Sequence, residues 1–379
     1  MKMSHNFLFF LLLVTASLFS CTKEKGQVST PLLGPASPPP PPPPNGGSGI
    51  NTRLIAVGNI SQAREKIAVA SAGNKIFFAG GETSSNATSS RVDIYDFTTN
   101  SWSTAELSMA RSGIATVVSK NKIYFAGGHL GAYKGFSGRV DIYDMQTNTW
   151  ATTDFAGVIQ EMAGAAASNK VVLASGVTAH IYDNSTNEWS IASLSERPGE
   201  GNCCQGYVGG IAATAINNTI YFAGGEGNDV HKAIDIYNTD ANTWSKSTLS
   251  EYKGSPAGIA VGNINYWAGG ETAYSTGYEI SSQVEMRNMS TGVVTINSLF
   301  QANWRFSAVQ KNDTIVFFTG LGVTKNKFDI YAINSNKFSI GLLAENIEGA
   351  AIISVNNSIY VAGGKVNGVL SNQLRKLEF

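Results

Sequence analysis

The sequence predicts an all-β fold built from one repeated unit of four short strands, and two periodic features carry that prediction. The first is a pair of glycines, Gly80-Gly81, which returns as Gly127-Gly128, Gly224-Gly225, Gly269-Gly270 and Gly363-Gly364. Ser175-Gly176 and Thr319-Gly320 hold two degenerate places, so the steps run from 44 to 50 residues. The second is an aromatic pair seven residues apart: Tyr95/Trp102, Tyr143/Trp150, Tyr182/Trp189, Tyr237/Trp244 and Tyr331/Phe338. Self-similarity at this period means an array of like supersecondary units that bury their faces against one another. Outside the N-terminus no stretch keeps a 3.6-residue apolar period, so helices are not expected.

Residues 64–107 show one unit in order. Ile67 to Ala72 is small and apolar, Gly73-Asn74 turns, and Lys75 to Ala79 is a second apolar run ending at the diglycine. A polar loop leads to Arg91–Asp96, then a Thr98-Thr99-Asn100 turn, then the strand that Trp102 opens. Four short strands with turn chemistry between them fill about the length of a propeller blade.

A diglycine closing the second strand, a Tyr in the third and a Trp opening the fourth together resemble the kelch repeat, over roughly residues 52 to 379. The departures are local: Arg287 and Val294 replace the aromatic pair in the fifth unit, and the third and sixth units lack the first glycine. The resemblance implies a kelch-type β-propeller in which the glycines are corners, where backbones approach closely. A phosphate cradle would need a helix after the glycines, and none is in sight. The Tyr and Trp side chains are expected to fill the wedges between blades.

Six units are complete, and a seventh runs from Gly349 to Phe379 with three strands only. A spare strand, Arg53 to Asn59, precedes the first unit. It is expected to complete the seventh blade and close the ring, removing the exposed edges of an open array. The expectation is a single seven-bladed propeller over residues 52–379.

Residues 1–20 read as a secretory signal: Lys2 starts it and Phe7 to Phe19 is an apolar core, too short to span a bilayer. Leu18-Phe19-Ser20-Cys21 resembles the lipobox of bacterial lipoproteins, which implies lipidation of Cys21; the alternative is an ordinary signal with a chance cysteine. Residues 21–51 read as a disordered tether, stiffened by Pro38–Pro44 and jointed by Gly46–Gly49. The implied address is the outer membrane, facing the periplasm or the cell surface. Lys plus Arg equals Asp plus Glu at 27 each, and loss of the signal removes Lys2 alone, so no basic excess points to nucleic acid.

The loops are unequal. Connections between second and third strands (81–90, 128–138, 226–232, 271–282, 365–371) and the link 193–209 are long, and in an up-and-down blade these emerge on one side. Function concentrates on loops held by a rigid scaffold. Arg64, Arg111, Lys253 and Arg305 stand before first strands, and Glu82, Glu226 and Glu271 follow the diglycines. These charges are expected to ring the channel mouth, with His129, Tyr133, Phe136, Tyr207, His231, Tyr252, Tyr274, Tyr278 and Trp304 around them. The ring either binds a polar ligand, with Arg forks for carboxylates and aromatic faces for sugars or peptide, or closes the mouth by internal pairing. Cys203-Cys204 in the longest link are a strained vicinal disulfide, two free thiols or, least in keeping with their surroundings, metal ligands.

Among enzymes, kelch-type copper oxidases need two His, two Tyr and a Cys linked to one Tyr, which this chain does not offer at readable spacing. Sialidase propellers carry an Asp and a Gly in a repeated turn that is Asn-x-Trp here, as in Asn100-Ser101-Trp102. The sialic-acid mutarotase family needs only an acid–base pair near the axis. The sequence therefore reads as a non-catalytic, monomeric binding module for a protein or glycan, without cofactor or metal, and with a sugar mutarotase or epimerase as the enzymatic alternative.

Overall fold

The computed structural model describes residues 49–83, 87–131, 134–155, 161–195, 210–226, 231–274, 277–318 and 325–379. Among these there is no helix; the chain is a succession of short strands, β1 (Gly49–Asn51), β2 (Arg53–Asn59), β3 (Ala68–Ala72), β4 (Lys75–Ala79), β5 (Arg91–Asp96), β6 (Ser101–Glu106) and their counterparts. β3 to β6 form one antiparallel four-stranded sheet in sequence order, and residues 115–154, 163–193, 212–248 and 257–298 each form another. In the last described unit the strands Ala351–Val355, Ser358–Ala362 and Gln373–Glu378 are joined at the edge by β2, antiparallel to Gln373–Glu378.

Residues 307–342 form the remaining large sheet, and it has a fifth strand. β1, assigned from sequence to the end of the tether, runs parallel to Lys337–Leu342, with Ile50 opposite Gly341. Thr52 Oγ1 then donates to the Leu342 carbonyl at 2.6 Å before the chain crosses to β2. Glu271–Tyr274 and Gly277–Ile280, expected within a loop, are instead two paired antiparallel strands, with Thr272 opposite Glu279.

The position of a strand within its sheet explains its composition. First strands lie against one another in sequence order, and Ala351–Val355 also lies against β3. Crowding there selects small residues such as Ala68-Val-Ala-Ser-Ala72 and Ala163-Gly-Ala-Ala-Ala167. Second strands are covered on both faces and are mostly apolar, as in Ile76-Phe77-Phe78-Ala79. Fourth strands are half exposed and rich in Ser, Thr and acidic residues, which discourages edge pairing.

The aromatic period follows from the hairpin of third and fourth strands. Tyr95 lies directly opposite Trp102, ring centroids 4.9 Å apart. Asp96 Oδ1 accepts the N–H groups of Thr98 and Thr99 at 3.0 and 3.1 Å, and Asn100 takes a left-handed φ of 55°. Asn100 Oδ1 then accepts the Tyr95 hydroxyl at 2.7 Å, giving a buried ring its polar partner. The same bond recurs at Tyr143–Asn148, Tyr182–Asn187, Tyr237–Asn242 and Tyr331–Asn336.

One core position departs from the pattern. Ile76, Ile123, Val171, Ile220, Ile315 and Ile359 are each fully buried near the start of a second strand, and Asn265 holds that place in the fifth unit, also fully buried. Neither its amide nitrogen nor its oxygen has a partner among the described residues. A buried polar group without a partner costs about 1–3 kcal/mol. Asn265→Val should therefore raise the melting temperature by several degrees in a calorimetric scan; an unchanged or lower value would show that bound water satisfies the amide.

Candidate functional site

Arg64, Arg111 and Lys253 do not stand at a mouth; their side chains are wholly buried, a correction to the sequence-based expectation. Arg64 Nη1 donates to the carbonyls of Gly80 (2.5 Å) and Arg91 (2.7 Å), and its Nη2 pairs with Asp93. Arg111 repeats this on Gly127, Arg139 and Asp141. Lys253 Nζ takes the equivalent carbonyls, Gly269 at 3.2 Å and Gln283 at 3.0 Å, and pairs with Glu251 at 2.7 Å. Burial lowers the pKa of all three, against the opposing pull of Asp93, Asp141 and Glu251. These cations tie the diglycine corner to the third strand and are not available to a ligand.

The mouth is made two residues further along. The residue two before each first strand is Lys66, Gly113, Glu161, Gly210, Ser255, Arg305 or Gly349. All but Glu161 have a left-handed φ, between 48° and 64°. Backbone bonds link them in sequence: Lys66 N–H to Gly349, Gly113 to Lys66, Ser255 to Gly210 and Arg305 to Ser255, at 2.9 to 3.3 Å. These seven, with Glu65, Glu82, Met162, Ile211, Pro256, Phe306, Glu348 and Lys365, line a cavity of about 580 Å³. Arg305 was aligned with Arg64 from sequence, but Asn303 holds that register and Arg305 belongs to the mouth.

Charge around the mouth is largely paired. Lys66 meets Glu82 at 3.0 Å, Lys365 meets Glu65 at 2.6 Å, and Lys325 pairs with Glu348. Arg305 lies 3.5 Å from Glu161 and 3.6 Å from Glu226, with its guanidinium 5.2 Å from the Trp304 ring centroid. Burial pushes Glu82 up, but hydrogen bonds from Lys66 and Ser112 outweigh it and hold the carboxyl below its usual range. Glu271 goes the other way: burial and then the Glu226 charge raise it, opposed only in part by Arg305.

Other expected residues are scattered. His129 is half-buried and packs on Phe136, ring centroids 4.3 Å apart. His231 is buried, and Tyr252 is exposed under Lys232 at 4.7 Å. Cys21, Tyr133, Cys203, Cys204 and Tyr207 lie outside the described residues, as do the side chains of Tyr274 and Tyr278. Sequence reasoning missed Glu65, Lys66, Glu161, Ser255 and Lys365 as mouth residues. Aligning the units on first-strand starts, rather than on the preceding basic residue, would have found most of them.

The family model of the Kelch motif matches residues 64–106 and 110–152, the first two units. These two units are kelch repeats. The solved structure of YjhT is similar to it with a TM-score of 0.53 at 13% identity, covering 75% of this chain and 99% of that one, which speaks for the fold alone. Some 886 solved chains show significant similarity, so the architecture is too widespread to carry an activity. No curated protein matches the sequence.

The units differ in how they satisfy the acid on the third strand. Asp329 sits where Asp93 and Asp141 sit, but Asn303 replaces its arginine, leaving the Phe300 N–H at 2.8 Å as its described partner. Burial pushes this carboxyl up to about 7.

Two predictions follow from these ties. Arg111→Met leaves Asp141 buried without its cation and should destabilise the chain by about 3–5 kcal/mol. Arg111→Lys should lose less, because Lys253 already shows an ammonium reaching the same two carbonyls; equal losses in urea melts would refute the tie. For Asp329 the folded pKa lies above the unfolded one, so its neutral form favours folding at low pH. That contribution is lost as pH rises from about 4 to about 7. Asp329→Asn should flatten the pH dependence of stability across this window and raise the melting temperature at pH 8. A parallel shift at every pH would remove the assignment.

Proposed function

We propose that this chain is an exported lipoprotein, lipidated at Cys21, whose residues 52–379 form a seven-bladed kelch propeller that binds a protein or glycan without catalysis. β2 at the edge of the last sheet supports the closure of the ring, as does the bond from Gly364 N–H to the Arg64 carbonyl at 2.8 Å. The observation that carries the binding reading is the 580 Å³ mouth. It combines paired charges with Met162, Ile211, Pro256 and Phe306, a mixture suited to a ligand with both polar and apolar faces. Its residues come from the side of the long loops. Residues 1–20 act as the export signal and the prolines of residues 21–51 as a spacer from an outer membrane.

A sugar mutarotase or epimerase remains as a second reading because of one observation, the raised carboxyl of Glu271 beside Arg305. A carboxyl titrating nearer neutrality suits proton transfer at an anomeric centre. Sialic-acid anomer interconversion followed by NMR separates the readings: acceleration by the chain favours the enzyme.

The binding reading predicts that a glycan-array and pull-down screen recovers a ligand whose affinity falls about tenfold or more in Glu161→Lys. Thr99→Lys, on the exposed turn of the opposite face, should leave that affinity unchanged. Cys21→Ser should move the chain from the membrane fraction to the soluble one. Full retention on the membrane would overturn the anchor, and equal affinity in both charge variants would move the site off the mouth.

A further inference from the structure

The charges of the mouth do not balance locally. Lys66, Lys365 and Lys325 are each engaged by their own carboxylate, Glu82, Glu65 and Glu348. The opposite sector holds Glu161, Glu226 and Glu271 around one described cation, Arg305. Three carboxylates about a single guanidinium leave an excess of negative charge where the low-dielectric wall strengthens every interaction.

A second observation falls on the same sector. Glu226 and Ser255 are 8% and 6% exposed, and neither Glu226 Oε1 nor Ser255 Oγ has a hydrogen-bond partner among the described residues. Both atoms face Gly210. A Cβ there would clash with Ser255 Oγ and lie 2.9 Å from Glu226 Oε1, so only a glycine lets both atoms close on this wall of the mouth. Gly210 and Ser255 both line the cavity. A buried carboxylate oxygen without a donor is costly, and a charged N–H donor answers both the missing bond and the missing charge. An anion would meet three carboxylates, with the nearest cation already held by two of them.

We propose that this sector of the mouth is a subsite for a protonated primary amine, held by Glu226 Oε1 and Ser255 Oγ beside Gly210, with Glu161 and Glu271 supplying the surrounding negative charge. It rests on the reading that the mouth binds a ligand and names the chemistry that part of the ligand carries. An amino sugar and the lysine side chain of a peptide both present this group. Arg305 acts as a resident competitor, so its removal should favour the amine.

The test uses the full chain labelled with ¹³C at the methionine methyl groups, because Met162 lines the mouth and reports its occupancy. The probes are glucosamine, Nα-acetyl-lysinamide, N-acetylglucosamine and glucuronate. Saturable shifts of the Met162 methyl with one or both amines, at least tenfold weaker with N-acetylglucosamine, are expected. The stronger of the two amines indicates an amino sugar or a lysine as the source. Glu226→Gln should weaken amine binding at least tenfold and Ser255→Ala severalfold, while Arg305→Gln tightens it, a direction that lost structure would not produce. Equal binding of amine and N-acetyl sugar, preference for glucuronate that disappears in Arg305→Gln, or no shift with any probe would each overturn the subsite. The broader reading fails separately, if a ligand recovered in the screen is insensitive to Glu161→Lys.

Discussion

The architecture depends on one residue per unit facing two ways, the Arg64 position. Its carbonyl accepts an N–H from the diglycine of the neighbouring unit: Gly81 to Arg111, Gly225 to Lys253, Gly270 to Asn303 and Gly364 to Arg64, all at 2.8 to 2.9 Å. Where it is Arg or Lys, its side chain holds the diglycine corner of its own sheet. The backbone bond couples sheets and the buried cation braces each sheet, so the glycines are constrained twice. A Cβ on Gly80 would run into the Arg111 carbonyl, and one on Gly81 would lie 2.7 Å from the Glu65 carbonyl. The diglycine period is therefore the footprint of an inter-sheet contact, with no ligand required to explain it.

The mouth inherits its rigidity from that contact. Two residues after the tie, the chain turns left-handed and joins its neighbours through backbone bonds. Side chains at this level take no part in those bonds, which leaves their identity open: Lys66, Glu161, Ser255 and Arg305 project, while Gly113, Gly210 and Gly349 leave gaps. A fixed backbone with variable side chains is the arrangement in which a site can change without disturbing the fold. Charge there is arranged in pairs on one side and left uneven around Arg305 on the other.

The repeat architecture was legible because it is written in local signals: glycine pairs, a Tyr–Trp step set by one hairpin, and turn asparagines at a fixed offset. Strand Arg53–Asn59 was legible to the residue for the same reason. The ties were not. A basic residue just before a strand ordinarily projects into solvent, and what buries Arg64 is Asp93, 29 residues on, together with two carbonyls that no sequence pattern displays. Arg305 misled for a simpler reason: it is a basic residue in an entrance segment, but two places out of register. The paired strands Glu271–Tyr274 and Gly277–Ile280 and the strand at 49–51 hide in polar, glycine-containing stretches whose pairing partners are decided by tertiary position.

The uneven ties also imply uneven stability around the array. The first two units bury a matched Arg–Asp pair, and the fifth substitutes Lys253 with Glu251. The sixth has neither: Asn303 replaces the cation, and Asp329 is pushed towards neutrality by its own burial. A sheet whose buried acid lacks a cation should be easier to open than the braced ones. It is this sheet that carries the fifth strand, β1, with Thr52 bonded to the Leu342 carbonyl before the chain passes to β2. The N-terminal segment thus reinforces two adjoining sheets at once, one whose buried acid lacks a cation and one short of a strand of its own.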